Sequence, residues 1–245
     1  MISSSKAIVL SSENFGEADK YVQFLSQNWG VLTTLAKSAR KSRKRYAGGL
    51  DIFCHDDICV KGSQKDRGYL VELVVLNSFP SLRDQLERLT VAGKAVQWIR
   101  KIVPPGTPVP QIYRLLGQTL ALLEQEADLE RMELLGLIFK AKLISQLGLH
   151  PRLNECSRCH CVIEQTERTL FSPHSGGALC SSCQTKALDS ESIWIEPVQR
   201  HFLDHVQDVS FKRVSEIQLD QNDRLALNRL VTRFTSYHTH VGLPL

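Results

Sequence analysis

Four cysteines in the second half of the chain have the spacing of a metal site. Two residues separate the cysteines within each pair, and 20 residues separate the two pairs, which are Cys156/Cys159 and Cys180/Cys183. A turn of this length aims both sulfurs of a pair at one point, and two such turns form a tetrahedral cage that suits Zn²⁺. We therefore predict a structural zinc site with these four ligands. Four thiolates fill the coordination sphere, so no open position remains for catalysis.

The same cysteines allow other interpretations. They can form redox-active dithiol pairs, hold an iron–sulfur cluster, or leave an empty cage. His160, Cys161 and His174 are close enough in sequence to replace one of the four ligands. If zinc binds, its binding free energy is also folding free energy, roughly 10 kcal/mol in small zinc modules. Loss of Cys180 is then expected to unfold this segment.

A run of cations in the first half of the chain is the second group with a chemical signature. Six of the nine residues from 37 to 45 are Lys or Arg, and none is acidic. Such a run repels itself unless a polyanion or solvent screens it, which favours a loop that contacts phosphates. An aromatic residue follows the run directly and is positioned to stack on a base. The predicted nucleic-acid-binding residues are Lys37, Arg40, Lys41, Arg43, Lys44, Arg45 and Tyr46.

The cationic run lies in a segment with the pattern of short β-strands. Residues 1–79 contain about five such strands, and Asn28-Trp29-Gly30 has the composition of a hairpin turn. Five short strands in a segment of this length predict a five-stranded oligonucleotide-binding (OB-fold) barrel. Most of its aromatic residues are expected to fill the interior of the barrel.

Beyond the barrel, apolar residues recur at the three- and four-residue spacings of helices. We expect one helix capped by Ser81 with Leu86 and Leu89 in its buried stripe, a second that begins at Pro110, and a third over about 129–147. The predicted fold is α+β. Its parts are a barrel domain (1–79), a helical domain in two pieces (80–153 and 187–245) and a zinc module (154–186).

Composition excludes several classes of protein. The chain has 245 residues, 42% of them hydrophobic and 23% charged, which is typical of a globular protein and not of a disordered one. No apolar stretch approaches the roughly 20 residues of a membrane span, and the first residues lack a secretory core. The eight histidines form no recognisable triad, and no glycine loop with a following lysine is present. We therefore expect a cytoplasmic protein that is not an enzyme.

Three blocks of sequence together resemble one family, the bacterial recombination mediator RecO. The first block comprises Ala-Ile-Val-Leu at 7–10, Gly-Glu-Ala-Asp at 16–19 and Ala-Lys-Ser-Ala-Arg-Lys-Ser at 36–42. The second is Leu-Gly-Leu-His-Pro-Arg-Leu at 147–153, and the third is Phe-Ser-Pro-His-Ser-Gly-Gly at 171–177. The last two blocks each precede a cysteine pair. The resemblance extends over about residues 2–183.

The resemblance implies a non-enzymatic DNA-repair protein associated with the nucleoid. Members of this family bind single- and double-stranded DNA and anneal complementary strands. With RecR they help to load RecA onto strands coated by single-strand-binding protein, whose acidic C-terminal tail they dock. Lys37, Arg40 and Lys41 match the family's basic motif, whereas the cations at 43–45 are assigned by charge alone. The rim of the tail-docking pocket is assigned by charge and helix face to Arg114, Arg131, Lys140 and Lys142.

Two other functions remain open at this stage. One is a generic nucleic-acid-binding protein with an OB barrel and a zinc ribbon, which binds strands but does not anneal them. The other is an enzyme that uses one Cys-x-x-Cys pair as a dithiol couple. Thiol titration with and without a chelator separates the last class, because metal-bound thiolates react slowly until the metal is removed.

Overall fold

Five strands close into a barrel in the N-terminal part of the chain, in the order β1-β2-β3-β5-β4. They are β1 (Ile2–Phe15), β2 (Asp19–Ser26), β3 (Gly30–Ala36), β4 (His55–Gln64) and β5 (Arg67–Asn77). Neighbouring strands are antiparallel except β3 and β5, which run parallel and complete the barrel. This arrangement confirms the predicted five-stranded OB-like barrel.

The computed structural model describes residues 2–42, 45–46, 48–64, 67–185, 191–208 and 210–243. Arg43 and Lys44, two of the residues predicted to contact nucleic acid, lie outside the described residues, as does the predicted boundary at 186/187. Contacts between residues divide the chain into two compact units, 1–127 and 128–245. The predicted domain boundaries at 79/80 and 153/154 mark changes in sequence pattern and not the limits of compact units. They stay predictions.

Two helices belong to the same unit as the barrel. A 3₁₀ helix (Pro80–Arg83) precedes α1 (Leu86–Ile102), and α2 (Pro110–Gln125) begins with proline, as the sequence indicates. The expected helix start at Ser81 is wrong, because a 3₁₀ turn occupies this position and α1 begins only after Gln85, its N-cap residue. Leu82 is buried in that turn, whereas Leu86 and Leu89 are 73% and 37% exposed and do not form the predicted buried stripe.

The centre of β1 is buried on both faces. Ala7 and Val9 lie in the hydrophobic cluster inside the barrel, whereas Ile8 and Leu10, which alternate with them, are buried outside that cluster. β1 contacts both α1 and α2, and the Cδ1 atom of Ile8 lies 3.7 Å from a Cβ built on Gly117 of α2. A continuous apolar run, instead of an alternating one, is the pattern of a strand covered on both sides.

One carboxyl group is fully buried in the barrel. Asp56 of β4 has no accessible surface, and neither of its carboxylate oxygens has a hydrogen-bond partner among the described residues. Gly49 packs so closely beside it that a Cβ there would lie 2.9 Å from Oδ1 of Asp56. Burial raises the pKa of Asp56 to about 8. The carboxyl group is therefore protonated in the folded protein at neutral pH.

Replacing Asp56 by asparagine is expected to flatten the pH dependence of stability. The folded state keeps a proton that the unfolded chain releases above about pH 4, so the free energy of unfolding falls by up to about 1.4 kcal/mol per pH unit between about pH 4 and 8. Urea unfolding at pH 5 and pH 7 should show that Asp56→Asn removes about 2.5 kcal/mol of this difference. Asp57→Asn, on the half-buried neighbour, is the control and should leave the difference in place. Equal pH dependence in the wild type and Asp56→Asn would contradict the assignment.

The second unit combines helices with a small sheet. Its helices are α3 (Leu129–Gln146), α4 (Ser181–Gln184), α5 (Pro197–His205) and α6 (Gln221–Thr239), with a 3₁₀ helix at Phe211–Glu216. The strands β6 (Thr169–Ser172), β7 (Gly177–Leu179) and β8 (Ile193–Ile195) pair in the order β7-β6-β8. Asp220 caps α6, because its carboxylate accepts a hydrogen bond from the backbone N–H of Asp223 (2.7 Å). The helices confirm the predicted helical domain.

Across the described ranges, no helix is both long enough and apolar enough to span a lipid bilayer.

Candidate nucleic-acid interface and metal centre

The basic loop, residues 37–54 between β3 and β4, is held against the barrel by its own backbone and arginines. The backbone N–H of Ser38 donates to the carboxylate of Asp19 (2.7 Å), and that of Arg40 donates to the carbonyl of Ala18 (2.9 Å). The guanidinium of Arg45 donates through Nε to the carbonyl of Val71 on β5 (2.9 Å). The first half of the loop is therefore positioned on the β1–β2 turn, and Arg45 fastens it to β5.

The four cations of this loop that the structure describes are exposed and not neutralised by a described carboxylate. Lys37, Arg40, Lys41 and Arg45 are all exposed, and none of them forms an ion pair with a described carboxylate. Arg40 donates from Nη1 to the carbonyls of residues 16 and 17, which are neutral acceptors. The structure thus brings four of the six predicted cations together as an uncompensated positive surface.

Burial corrects the role predicted for Tyr46. The residue is only 2% exposed, and its hydroxyl donates to the carbonyl of Leu70 (3.2 Å). Burial raises the pKa of the phenol, against a smaller opposing effect of the Arg45 charge. A base cannot stack on a ring inside the barrel, so Tyr46 instead anchors the loop. Arg45 lies over its ring, with Cζ 5.3 Å from the centroid.

Two exposed aromatic residues of the barrel lie instead on the outer face of the sheet formed by β2, β3 and β5. Tyr21 pairs with Leu35 on β3, and Leu35 pairs with Tyr69 on β5, so the three side chains form one row across the sheet. Tyr21 and Tyr69 are 41% and 52% exposed. Phe15 extends the row, because its ring centroid lies 4.5 Å from that of Tyr21. We call Phe15, Tyr21, Leu35 and Tyr69 the aromatic row.

A groove of about 740 Å³ is lined by Tyr21, Leu35 and Tyr69 of the aromatic row. Thr33 and Arg67 form the next row of paired residues in this groove, and Glu13 and Pro105 contribute to its lining. Lys37 connects the loop to the groove, with Nζ 5.4 Å from the centre of the Tyr69 ring. A surface that combines cations with exposed rings holds a phosphate backbone and stacks bases without selecting sequence.

Sequence reasoning missed Tyr69 and did not single out Tyr21, because most aromatic residues of the barrel were expected to fill its interior. The signal for Tyr21 was present, since Val22 and Phe24 alternate with it and point inward. No comparable signal existed for Tyr69, because its place beside Leu35 depends on the parallel pairing of β3 with β5.

Two of the cations assigned to a tail-docking pocket are not at the surface. Lys140 and Lys142 of α3 are buried, and their ammonium groups donate to the side chain of Asn228 and to the carbonyl of Gln207, both at 2.7 Å. Both lysines therefore hold α3 against the rest of its unit and cannot form the rim of a pocket. Arg114 and Arg131 are exposed.

The four predicted cysteine ligands come together in the second unit. The sulfur atoms of Cys156, Cys159, Cys180 and Cys183 all lie within 4.8 Å of one another. Those of Cys159 and Cys180 are 3.6 Å apart, near the about 3.8 Å edge of a tetrahedron with 2.3 Å zinc–sulfur bonds. Among the described residues, this is the group that could hold a metal ion, and its donor set of four thiols fits Zn²⁺.

The two cysteine turns are joined by backbone contacts. Arg152 and Ala178 are linked by a hydrogen bond from the N–H of Ala178 to the carbonyl of Arg152 (2.8 Å). A Cβ on Gly177 would lie 2.1 Å from that carbonyl oxygen, so only glycine fits there. Burial alone would raise the pKa of Cys156, but backbone hydrogen bonds from Cys159, Cys180 and Arg158 lower it to about 6. This thiol is thereby prepared to bind a cation as a thiolate.

The three alternative ligands lie outside the four-sulfur group. His160 receives a hydrogen bond at Nδ1 from Arg152 (3.0 Å), and the ring of His174 packs 5.7 Å from that of Tyr237. Cys161 is exposed, and its sulfur is 3.5 Å from that of Cys159. The cage of four cysteines is therefore the arrangement that the geometry favours.

Comparisons with known proteins agree with this architecture. Residues 1–79 match a family described as "Recombination protein O N terminal", and residues 83–245 match "Recombination protein O C terminal". The DNA repair protein RecO of Myxococcus xanthus is 31% identical over 188 residues, which cover 76% of this chain and 75% of that protein. The RecO of Syntrophus aciditrophicus is 30% identical over 182 residues (74% and 69%), and that of Dehalococcoides mccartyi strain CBDB1 is 25% identical over 221 residues (89% and 83%).

The two family matches together cover nearly the whole chain and meet between the barrel and α1. The similarity therefore includes both the barrel with its basic loop and the unit with the cysteine cage. The chain belongs to the RecO family.

Proposed function

We propose that this protein is a recombination mediator in DNA repair, which binds single-stranded DNA along the aromatic row and the basic loop and anneals complementary strands. The observation that supports this most directly is the row of Tyr21, Leu35 and Tyr69 beside cations that no described carboxylate neutralises. Names of the relatives, DNA repair protein RecO, agree with this role.

The proposed binding mode divides the work between two kinds of side chain. Cations of the basic loop neutralise phosphates and release counterions, which supplies affinity for any sequence. Rings of the aromatic row stack on bases, and adjacent strands are about 4.8 Å apart, so Tyr21 and Tyr69 are separated by about 10 Å. That spacing lets one strand lie across β2, β3 and β5 with a base on each ring.

Annealing follows from charge neutralisation. Two strands repel each other through their phosphates, and a cationic surface that holds both lowers that repulsion. No covalent bond is made or broken, so the function requires no catalytic residues, and we propose that the protein is not an enzyme. Binding of double-stranded DNA belongs to the same proposal, because its phosphates offer the same electrostatic target.

We also propose the partners that membership of the family implies. RecR would act with this chain to load RecA onto strands coated by single-strand-binding protein. The acidic tail of that coating protein requires cations next to an apolar surface, and Arg114 and Arg131 remain the exposed candidates. Such a role would place the protein in the cytoplasm at the nucleoid.

The proposed cofactor is one structural Zn²⁺ held by Cys156, Cys159, Cys180 and Cys183. Supporting it are the mutual distances of the four sulfurs and the hydrogen bonds that lower the pKa of Cys156. When bound, the ion would cross-link the two cysteine turns of a region whose strands are too short to be stable alone. It would contribute to folding, not to chemistry on DNA.

Removing the loop charges is expected to weaken binding in a salt-dependent way. In the variant Lys37→Ala, Arg40→Ala, Lys41→Ala and Arg45→Ala, the log–log salt slope for a single strand should become less negative by about 3, with affinity about 100-fold lower at 0.1 M salt. Fluorescence anisotropy with a labelled oligonucleotide measures both. A matched control removes four exposed cations of the second unit, Arg158, Arg213, Arg229 and Arg233.

The decisive functional measurement is annealing of two complementary strands, each coated with a bacterial single-strand-binding protein. Rapid annealing that weakens with salt, and that is lost in the loop variant but kept in the control, is the result expected of a mediator. Binding to bare strands without annealing of coated ones would instead identify the generic nucleic-acid-binding module. Equal losses of annealing in the loop variant and its control would show that the basic loop is not part of the DNA interface.

A further inference from the structure

A fifth thiol lies beside the cysteine cage and is not needed to complete it. The sulfur of Cys161 is 3.5 Å from that of Cys159, which is closer than the 3.6 Å between Cys159 and Cys180. Cys159 and Cys161 are both exposed, whereas Cys156 is buried and the other two ligands are half-buried. The most accessible ligand of the cage is therefore also the one with a free thiol next to it.

The backbone fixes this neighbourhood. The turn that begins at Cys156 is closed by a hydrogen bond from the N–H of Cys156 to the carbonyl of Cys161 (2.8 Å), and the N–H of His160 donates to the carbonyl of Cys156 (2.9 Å). His160 has a left-handed backbone (φ 61°), and its ring accepts a hydrogen bond from Arg152. With the chain held in this turn, the sulfurs of the two residues that flank His160 are 3.5 Å apart.

We propose that Cys159 and Cys161 form an oxidation-sensitive pair, in which a hydroperoxide converts the two thiols to a disulfide and removes Cys159 from the cage. The sulfur of Cys159 attacks the peroxide, which is reduced to an alcohol or water, and becomes a sulfenic acid. The thiol of Cys161 then attacks that sulfur, the S–S bond forms, and one water leaves. Two electrons pass from the two sulfurs to one peroxide molecule, so the step is balanced.

Loss of Cys159 leaves three of the four cage sulfurs for a metal ion. The disulfide requires only the two thiols, but its consequence rests on the proposed zinc site, since three thiolates hold Zn²⁺ less tightly than four. Oxidation would then release the ion and loosen the region around the cage, while the barrel, in the other compact unit, keeps its fold. A reductant would restore the cage, because a disulfide is reversible where higher oxidation states of cysteine are not.

The test begins with the metal content of the purified full-length protein. Peroxide is then added in small steps, released zinc is followed with a metal-binding dye, and disulfides are mapped by mass spectrometry after alkylation. The expected result is a Cys159–Cys161 disulfide that appears together with zinc release and that a dithiol reductant reverses. Cys161→Ser should keep its zinc, form no disulfide at this position, and lose metal about tenfold more slowly under peroxide. Cys59→Ser, on the half-buried cysteine of β4, is the matched control and should behave as the wild type.

The outcomes separate this inference from the proposed cofactor. A Cys159–Cys161 disulfide in a protein that never contained zinc would support the pair and refute the zinc site. Disulfides that join other cage cysteines, formed at the same rate in Cys161→Ser as in the wild type, would overturn the pair while leaving the zinc site standing. Zinc loss in Cys161→Ser before any peroxide is added would also overturn it, because Cys161 would then be a ligand.

Discussion

Serine in place of Cys180 is expected to abolish stoichiometric metal binding and to unfold the region from about residue 152 to 185. The cage sulfurs of Cys156, Cys159 and Cys183 converge with Cys180 from two turns. The strands of this region, β6 and β7, are only four and three residues long, so they contribute little stability of their own and a cross-link is expected to matter. Loss of a structural zinc ion removes roughly 10 kcal/mol of folding free energy.

Three readouts check this expectation. Zinc content should fall from one ion per chain to none. Limited proteolysis should cleave the chain between the two cysteine pairs, and single-strand binding by the barrel should persist. Persistence is expected because the barrel lies in the other compact unit. Cys161→Ser is the matched variant, since it removes a neighbouring thiol that lies outside the four-sulfur group, and it should retain the metal. Full zinc occupancy in Cys180→Ser would show that the cage is built from other ligands.

The second large effect is expected from the aromatic row. Stacking contributes about 1–3 kcal/mol per base, so Tyr21→Ala combined with Tyr69→Ala should weaken single-strand binding about 30-fold or more. Both rings are substantially exposed, and the barrel interior is filled by other side chains, so the variant should fold normally. Its salt slope should equal that of the wild type, because no phosphate contact has been removed.

The phenylalanine variants make this experiment specific. Tyr21→Phe and Tyr69→Phe keep the ring and remove the hydroxyl, so they should bind as the wild type does if stacking is the contribution. Anisotropy at several salt concentrations separates this pattern from that of the loop variant, which changes the slope. Wild-type affinity in the double alanine variant would place the bases elsewhere on the molecule.

The parts of the structure that follow local rules could be predicted from sequence. Two-residue spacing brought each cysteine pair together, a proline marked the start of α2, and Asp220 capped α6. These features depend on residues a few positions apart, so the neighbouring residues in the sequence determine their geometry. The five strands of the barrel belong to the same class, because turn residues separate them.

Features that depend on contacts between residues far apart in the sequence could not be predicted. Tyr69 faces the groove because β5 pairs in parallel with β3, and Tyr46 is buried because its loop turns back over β5. Leu86 and Leu89 are exposed in the first turns of α1, whereas Val96 and Ile99 further along the same helix are buried. In each case the local pattern was compatible with both an inward and an outward position, and only the tertiary partner decided between them.

The burial of β1 on both faces limits which segment of the gene can be transferred as a folding unit. Ile8 and Leu10 face away from the barrel interior, and His55 at the start of β4 bonds to Tyr113 of α2, with 2.6 Å between Nε2 and the hydroxyl oxygen. A barrel separated from α1 and α2 would present this apolar strip to water. The smallest segment that evolution could transplant is therefore residues 1–127 and not the 1–79 of the N-terminal family match. Gene fusions or shuffling events that cut the chain after the fifth strand would be selected against by insolubility, even if the groove itself stayed intact.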